Sequence, residues 1–185
     1  MDAAVDPPQT LEVGLVPAAA ARDAAFVGHV ADLVNVVYAD AERGLWQEGA
    51  ERTTAEQMAA IIRDGELAAA RLDGELVGAV RLQRLDGDLG ELGMLVASPE
   101  HRGAGIGREL VAFAERWARE QGLRRMQLEL LVPRTWTHPV KAFLDDWYTR
   151  IGYRPVRSGR LDEDYPGMEA RLATPCDFRI YHKEL

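Results

Sequence analysis

Three glycines at alternate positions, Gly103, Gly105 and Gly107, interrupt the chain in the stretch PEHRGAGIGREL. Upstream lies the apolar run ELGMLVAS, too short for anything but a strand. Downstream, Ile106, Leu110, Ala114, Trp117 and Ala118 recur at helical spacing up to about Gln121. A second strand-like run, RRMQLELLV (124–132), follows at once. Strand, glycine loop, helix and strand make a parallel crossover, so the rest of the chain has to build a sheet around it.

The flanking segments supply that sheet. LEVGLVPA (11–18) reads as a first strand. Asp23 is placed to cap a helix running to about Glu42, with Phe26, Val30, Leu33, Val34 and Val37 on its inner stripe. Thr53 or Thr54 caps a second helix through Met58, Ile61 and Ile62, stopped by Gly65. ELAAARL and ELVGAVRL flank Asp73-Gly74, a dipeptide suited to the positive φ angles of a hairpin turn. A second turn, RLDGDLG, leads into ELGMLVAS and completes an antiparallel meander. HPVKAFLDDWYTRIGY reads as a helix with Val140, Phe143, Leu144, Trp147 and Ile151 inward and Gly152 as its stop. Two strands are expected near 154–161 and 177–185. The expectation is an α/β (α+β) fold over 11–185, with residues 1–10 as a loose tail. Its mixed, mostly antiparallel sheet of about seven strands carries four helices on its faces.

Two phosphate loops fail at the glycines. The dinucleotide fingerprint G-x-G-x-x-G would need a small residue where Arg108 or Leu110 stands, and the Walker loop would need Gly-Lys-Ser/Thr where Gly107-Arg108-Glu109 stands. Two readings stay open. The glycines either let helix and strand pack closely, or they bare successive backbone N–H groups at a helix start to cradle a pyrophosphate, with Arg102 and Arg108 adding charge.

Arg102-Gly103-Ala104-Gly105-Ile106-Gly107 resembles the Arg/Gln-x-x-Gly-x-Gly/Ala signature of the GNAT superfamily of acyl-CoA N-acyltransferases. FLDDWYTRIGY is similar to that superfamily's later helix end, and the order of elements fits over roughly 11–185. The resemblance implies acetyl-CoA as co-substrate. Its pyrophosphate would lie on Arg102, Gly103, Ala104, Gly105, Ile106, Gly107 and Arg108, and its pantetheine arm along Met94, Leu95 and Val96. It further implies an acetyltransferase acting on a primary amine by direct attack. Glu91 falls where several members carry a general base; the plainer reading is a solvated carboxylate at a strand start. Tyr148 falls where a tyrosine protonates the leaving thiolate; the plainer reading is a half-buried helix tyrosine. Lys141 stands where the superfamily often has asparagine, to meet a phosphate, a substrate acid or solvent.

Further pocket candidates come from LELLVPRTWTHP. Glu129 alternates with Leu128 and Leu130 and so points off the other face of its strand. Trp136 and His138 precede the helix; His138 is either a second base or the maker of a local hydrogen bond. DEDYPG (162–167) is a late loop placed to cover the site.

Composition excludes several classes. A formal net charge of −8 argues against nucleic acid and suits a cationic acceptor such as an amine. No apolar run approaches a membrane span, and the first residues lack the pattern of a secretion signal, so the expected location is cytoplasmic. One cysteine, Cys176, and four histidines without metal spacing predict neither disulfide nor metal. The reading is an N-acetyltransferase for a small-molecule amine, compatible with a homodimer. Its rivals are an acyl-CoA-binding module without turnover, an enzyme using a longer acyl group and a transferase for protein amino groups.

Overall fold

The computed structural model describes residues 10–185; residues 1–9, nearly all of the expected tail, lie outside the described residues. Thr10 is already tied to the hairpin, its N–H donating to Asp73 Oδ1 at 3.0 Å.

Seven strands form one sheet in the order β1-β2-β3-β4-β5-β7-β6. They are β1 (Leu11–Leu15), β2 (Leu67–Leu72), β3 (Glu75–Arg84), β4 (Leu89–Ala97), β5 (Arg125–Pro133), β6 (Arg154–Arg160) and β7 (Cys176–Glu184). Only β4 and β5 pair in parallel. The expected meander is β2-β3-β4, turned at Asp73 and Gly74, both with positive φ. The crossover from β4 to β5 runs through α3 (Ile106–Glu120). What local pattern does not reveal is the last step, in which β7 inserts between β5 and β6.

The helices divide between the two faces. α1 (Ala24–Ala41) starts at Asp23, whose carboxylate accepts from the Ala25 and Phe26 N–H groups. α2 (Ala55–Arg63) starts at Thr54 in a capping box with Gln57, which decides between the two threonines. Val30, Val34, Met58 and Ile62 bury one face of the sheet. α3 and α4 (Pro139–Arg150) cover the other, where Ile106, Leu110, Ala114, Ala118 and Tyr148 join the core. On α4, Leu144, Trp147 and Ile151 pack inward as expected. Phe143 does not: it is 60% exposed, because the stripe rotates so that Lys141 and Tyr148 take the fully buried positions.

One glycine fixes how closely the crossover helix lies. A Cβ at Gly78 of β3 would sit 2.7 Å from Ile106 Cγ2 and 2.9 Å from the Val96 carbonyl oxygen. α3 therefore rests almost on the backbone of β3.

Candidate active site

The central parallel pair comes apart. β4 and β5 are nine residues each but pair only from Leu89–Arg125 to Glu91–Gln127. Just beyond, β4 bulges. The pairing of β3 with β4 skips between Ala79 and Arg81, and Met94 takes the left-handed conformation at φ 48. A non-glycine residue there is uncommon and marks a bent strand. The bulge carries β4 away from β5 and opens a wedge between them, lined by Met94 and Leu95 on one side and Leu128, Glu129 and Leu130 on the other. Backbone groups of Met94 and Leu95 that a partner strand would occupy are left facing this gap.

The wedge runs toward the C-terminal end of β4, where the glycine loop begins. Gly103 and Gly105 have φ of 88 and 74, angles that favour glycine, and Gly105 caps α3 without any side-chain hydrogen bond. The N–H groups of Ile106, Gly107 and Arg108 thus start a fifteen-residue helix with no intrahelical acceptor. Arg102 and Arg108 are both exposed beside them. A Cβ at Gly107 would lie 3.7 Å from the Trp147 ring, so the helix start abuts α4.

At the other end lie two carboxylates. Glu91 and Glu129 line one cavity of about 510 Å³, together with Tyr38, Arg52, Met94 and Tyr165. Gln127 Nε2 donates to Glu91 Oε2 at 2.6 Å, and the Gln127 amide oxygen pairs with His182 Nε2 at 2.9 Å. Tyr165 donates its hydroxyl to Glu129 Oε2 at 2.6 Å. Burial raises the pKa of Glu91; the hydrogen bond from Gln127 opposes that, and the neighbouring Glu129 adds to it. The carboxylate expected at a strand start is therefore half-buried in a cleft and held by a side chain from the next strand.

Tyr148 reaches the wedge from α4, 6% exposed, among the rings of Trp147, Tyr153 and Tyr181. Burial pushes its pKa well above the usual phenol range, with Tyr38 and Tyr181 adding to the shift. The hydroxyl stays protonated at any working pH. Lys141 also lines the wedge, but its ammonium is spent: it lies 2.6 Å from Glu42 Oε1, and both side chains are nearly fully buried. It does not point to solvent, and Glu42 stands where a phosphate or a substrate acid was expected as its partner.

Two pocket candidates fall elsewhere. Trp136 is 41% exposed, donates to Thr174 Oγ1 at 3.3 Å and stacks 5.3 Å from His138. His138 is buried, its Nε2 3.2 Å from the Arg43 carbonyl oxygen and its Nδ1 without a partner. Neither lines the cavity with Glu91, because the turn into α4 folds away toward residue 43. The local hydrogen bond expected of His138 does not form: its side chain makes no capping bond at the start of α4 and reaches instead to Arg43, 95 residues back. Cys176 is buried, with its thiol pushed up to about 11 by burial, and is unsuited to act as a nucleophile. Among the described residues no group of three His, Cys, Asp or Glu side chains could hold a metal ion, and no helix is long and apolar enough to cross a membrane.

Four residues beyond the predicted set belong to the cleft: Tyr38, Arg52, Gln127 and Tyr165. Tyr165 had a signal, since it lies in DEDYPG. Gln127 had a weaker one, two residues before Glu129 and on the same face of its strand. Tyr38 and Arg52 had none, because their placement depends on how α1 and the segment after it fold back over the sheet.

Comparison with known proteins bears on this arrangement. The profile described as the Acetyltransferase (GNAT) family matches residues 32–140. A streptothricin acetyltransferase of Escherichia coli is 38% identical over 58 residues, covering 31% of this chain and 33% of that protein. An N-acetylglutamate synthase from Neisseria gonorrhoeae, solved with coenzyme A and N-acetyl-glutamate, superposes with a TM-score of 0.64 at 18% identity, covering 95% of this chain and 35% of that one. The ribosomal-protein-S18-alanine N-acetyltransferase of Escherichia coli superposes with a TM-score of 0.62 at 15% identity, covering 95% and 94%. The matched regions thus span about a third of the length of the first two relatives. At these identities the superpositions show the shared fold.

Proposed function

Since the chain belongs to the acetyltransferase (GNAT) family, we propose that it moves an acetyl group from acetyl-CoA to a primary amine of a small molecule, by direct attack in a ternary complex. One observation carries the reading: the wedge between β4 and β5, with Tyr148 on its wall, adjoins the cavity that holds the half-buried Glu91. Acetyl-CoA supplies the acyl group already activated as a thioester. Arg102, Arg108 and the amides of Gly103 and of Gly105 to Arg108 are suited to its pyrophosphate (the Ala104 N–H donates to the His101 carbonyl oxygen at 3.2 Å), and the strand edge at Met94, Leu95 and Val96 to the pantetheine arm. A backbone N–H on that edge would polarise the thioester carbonyl, an effect worth about 100- to 1000-fold.

The amine must reach the carbonyl carbon uncharged. Glu91 takes its proton, directly or through water, and its raised pKa makes it a stronger base than an exposed glutamate. As the C–N bond forms and the C–S bond breaks, Tyr148 gives its proton to the departing sulfur, and the second proton that the nitrogen sheds on becoming an amide returns through water to the phenolate. Burial keeps that phenol protonated until the thiolate needs it. Cys176 takes no part, so no covalent acyl-enzyme forms.

Thermal unfolding tests the reading. A ligand at about 100 times its dissociation constant adds about 2.7 kcal/mol, which should raise the midpoint by roughly 5–10 °C for a chain of this size. CoA and acetyl-CoA should give that rise, while ATP and NAD should not. Thiol release from acetyl-CoA across a panel of amines then measures turnover. No rise with saturating CoA would sink the proposal.

A further inference from the structure

A second cavity of about 410 Å³ adjoins the first, between the end of α1, the connection 42–54 and the segment 168–171. Tyr38, Arg52, Gln57 and Met168 line both, so the two form one bent cleft. The charges facing the second cavity do not balance. Glu42 is spent on Lys141 and on the Trp46 indole N–H. Arg43 pairs with Asp40. Glu51 faces the cavity, and its carbonyl oxygen accepts from Arg171 Nη2 at 2.8 Å. Arg52 and Arg171 remain, and neither guanidinium has a carboxylate partner among the described residues.

Both guanidiniums lie over aromatic rings. Arg52 Cζ is 4.9 Å from the centroid of Tyr38, and Arg171 Cζ is 5.7 Å from that of Trp46. A guanidinium stacked on a ring has its plane fixed, while its N–H edge stays available for a planar, bidentate anion. A chain of net charge −8 has carboxylates to spare, yet among the described residues it pairs neither of these two cations with one, although Glu51 borders the same cavity. In the first cavity, which Arg52 also borders, carboxylates predominate. Glu91 and Glu129 face it, and Arg81 there is held by Glu66 at 2.6 Å.

We infer that the second cavity is a carboxylate subsite and that the acceptor is an aminocarboxylate. Its amine sits at Glu91 and Glu129, and its carboxylate on Arg52 and Arg171. This rests on the acetyl-transfer reading above. Cavities of about 510 and 410 Å³ meeting end to end fit an amine and a carboxylate several bonds apart.

The test separates the two readings. CoA-loaded protein is titrated calorimetrically with N-acetyl ω-amino acids of one to six methylenes, the products such acceptors would give, and with their neutral primary amides. CoA binding is measured alone beforehand. The expected result is that at least one acid binds about tenfold or more tightly than its amide. Arg52→Gln and Arg171→Gln should each bring that ratio close to one with CoA affinity kept. Arg52→Lys, which keeps the charge without the fork, should fall between. Acids and amides binding equally, or neither binding while CoA does, would overturn the subsite and leave the acetyl-carrier reading standing. Failure of CoA to bind would strike at the earlier proposal instead.

Discussion

Glu91 is the residue on which the pH dependence should turn. As a base it works only when ionised, so kcat/KM should rise with pH through a pKa lying above the ordinary glutamate value. Glu91→Gln should abolish that acidic limb and lower kcat by about 100-fold or more. Glu129→Gln is the sharper test. Removing the like charge beside Glu91 lowers its pKa, so the acidic limb should move to lower pH. A limb that stays in place in both variants would assign the base elsewhere. The carboxylate was legible in the chain only through the family resemblance, counted back along the strand from the glycine loop. Its burial was not, since that depends on Gln127 and Glu129 arriving from the neighbouring strand.

At the scale of elements, the crossover matters most. α3 seals the core, and its first N–H groups are the ones proposed to hold the pyrophosphate, so on that proposal its distance from β3 couples stability to binding. Gly78→Ala pushes a methyl to 2.7 Å from Ile106 and 2.9 Å from the Val96 carbonyl. It should cost about 1–3 kcal/mol, lower the unfolding midpoint by several degrees and weaken CoA binding, because Ile106 is the first residue of α3. Midpoint and CoA affinity, measured together on the variant, check this; unchanged affinity would uncouple the helix start from its seat. The glycine loop and the helix after it were readable because positive φ and helical spacing are local properties. The bulge at Met94 was not, as no glycine marks it and a methionine adopts that angle only where the surrounding sheet compels it.

Over the whole molecule, the Glu42–Lys141 pair joins the segment after α1 to α4 across a gap of 99 residues. Each residue is 5% exposed, so removing one partner strands a buried charge. Lys141→Met alone should cost about 3–5 kcal/mol, and adding Glu42→Gln should recover much of it. A double-mutant cycle on unfolding free energy checks this. Simple additivity of the two changes would mean that the pair is not coupled.

Local pattern alone determined the element order, the meander, the crossover and the place of the glycine loop. Spacing, capping residues and turn dipeptides act over a few neighbours, and a single chain displays them openly. The tertiary structure decided the splitting of β4 from β5, the insertion of β7, the burial of Lys141 and the departure of Trp136 and His138 from the cleft. It also brought Tyr38, Arg52, Gln127 and Tyr165 to Glu91. Each of these depends on strands and helices far apart in the chain competing for the same space, and the periodicity of no one segment records the outcome.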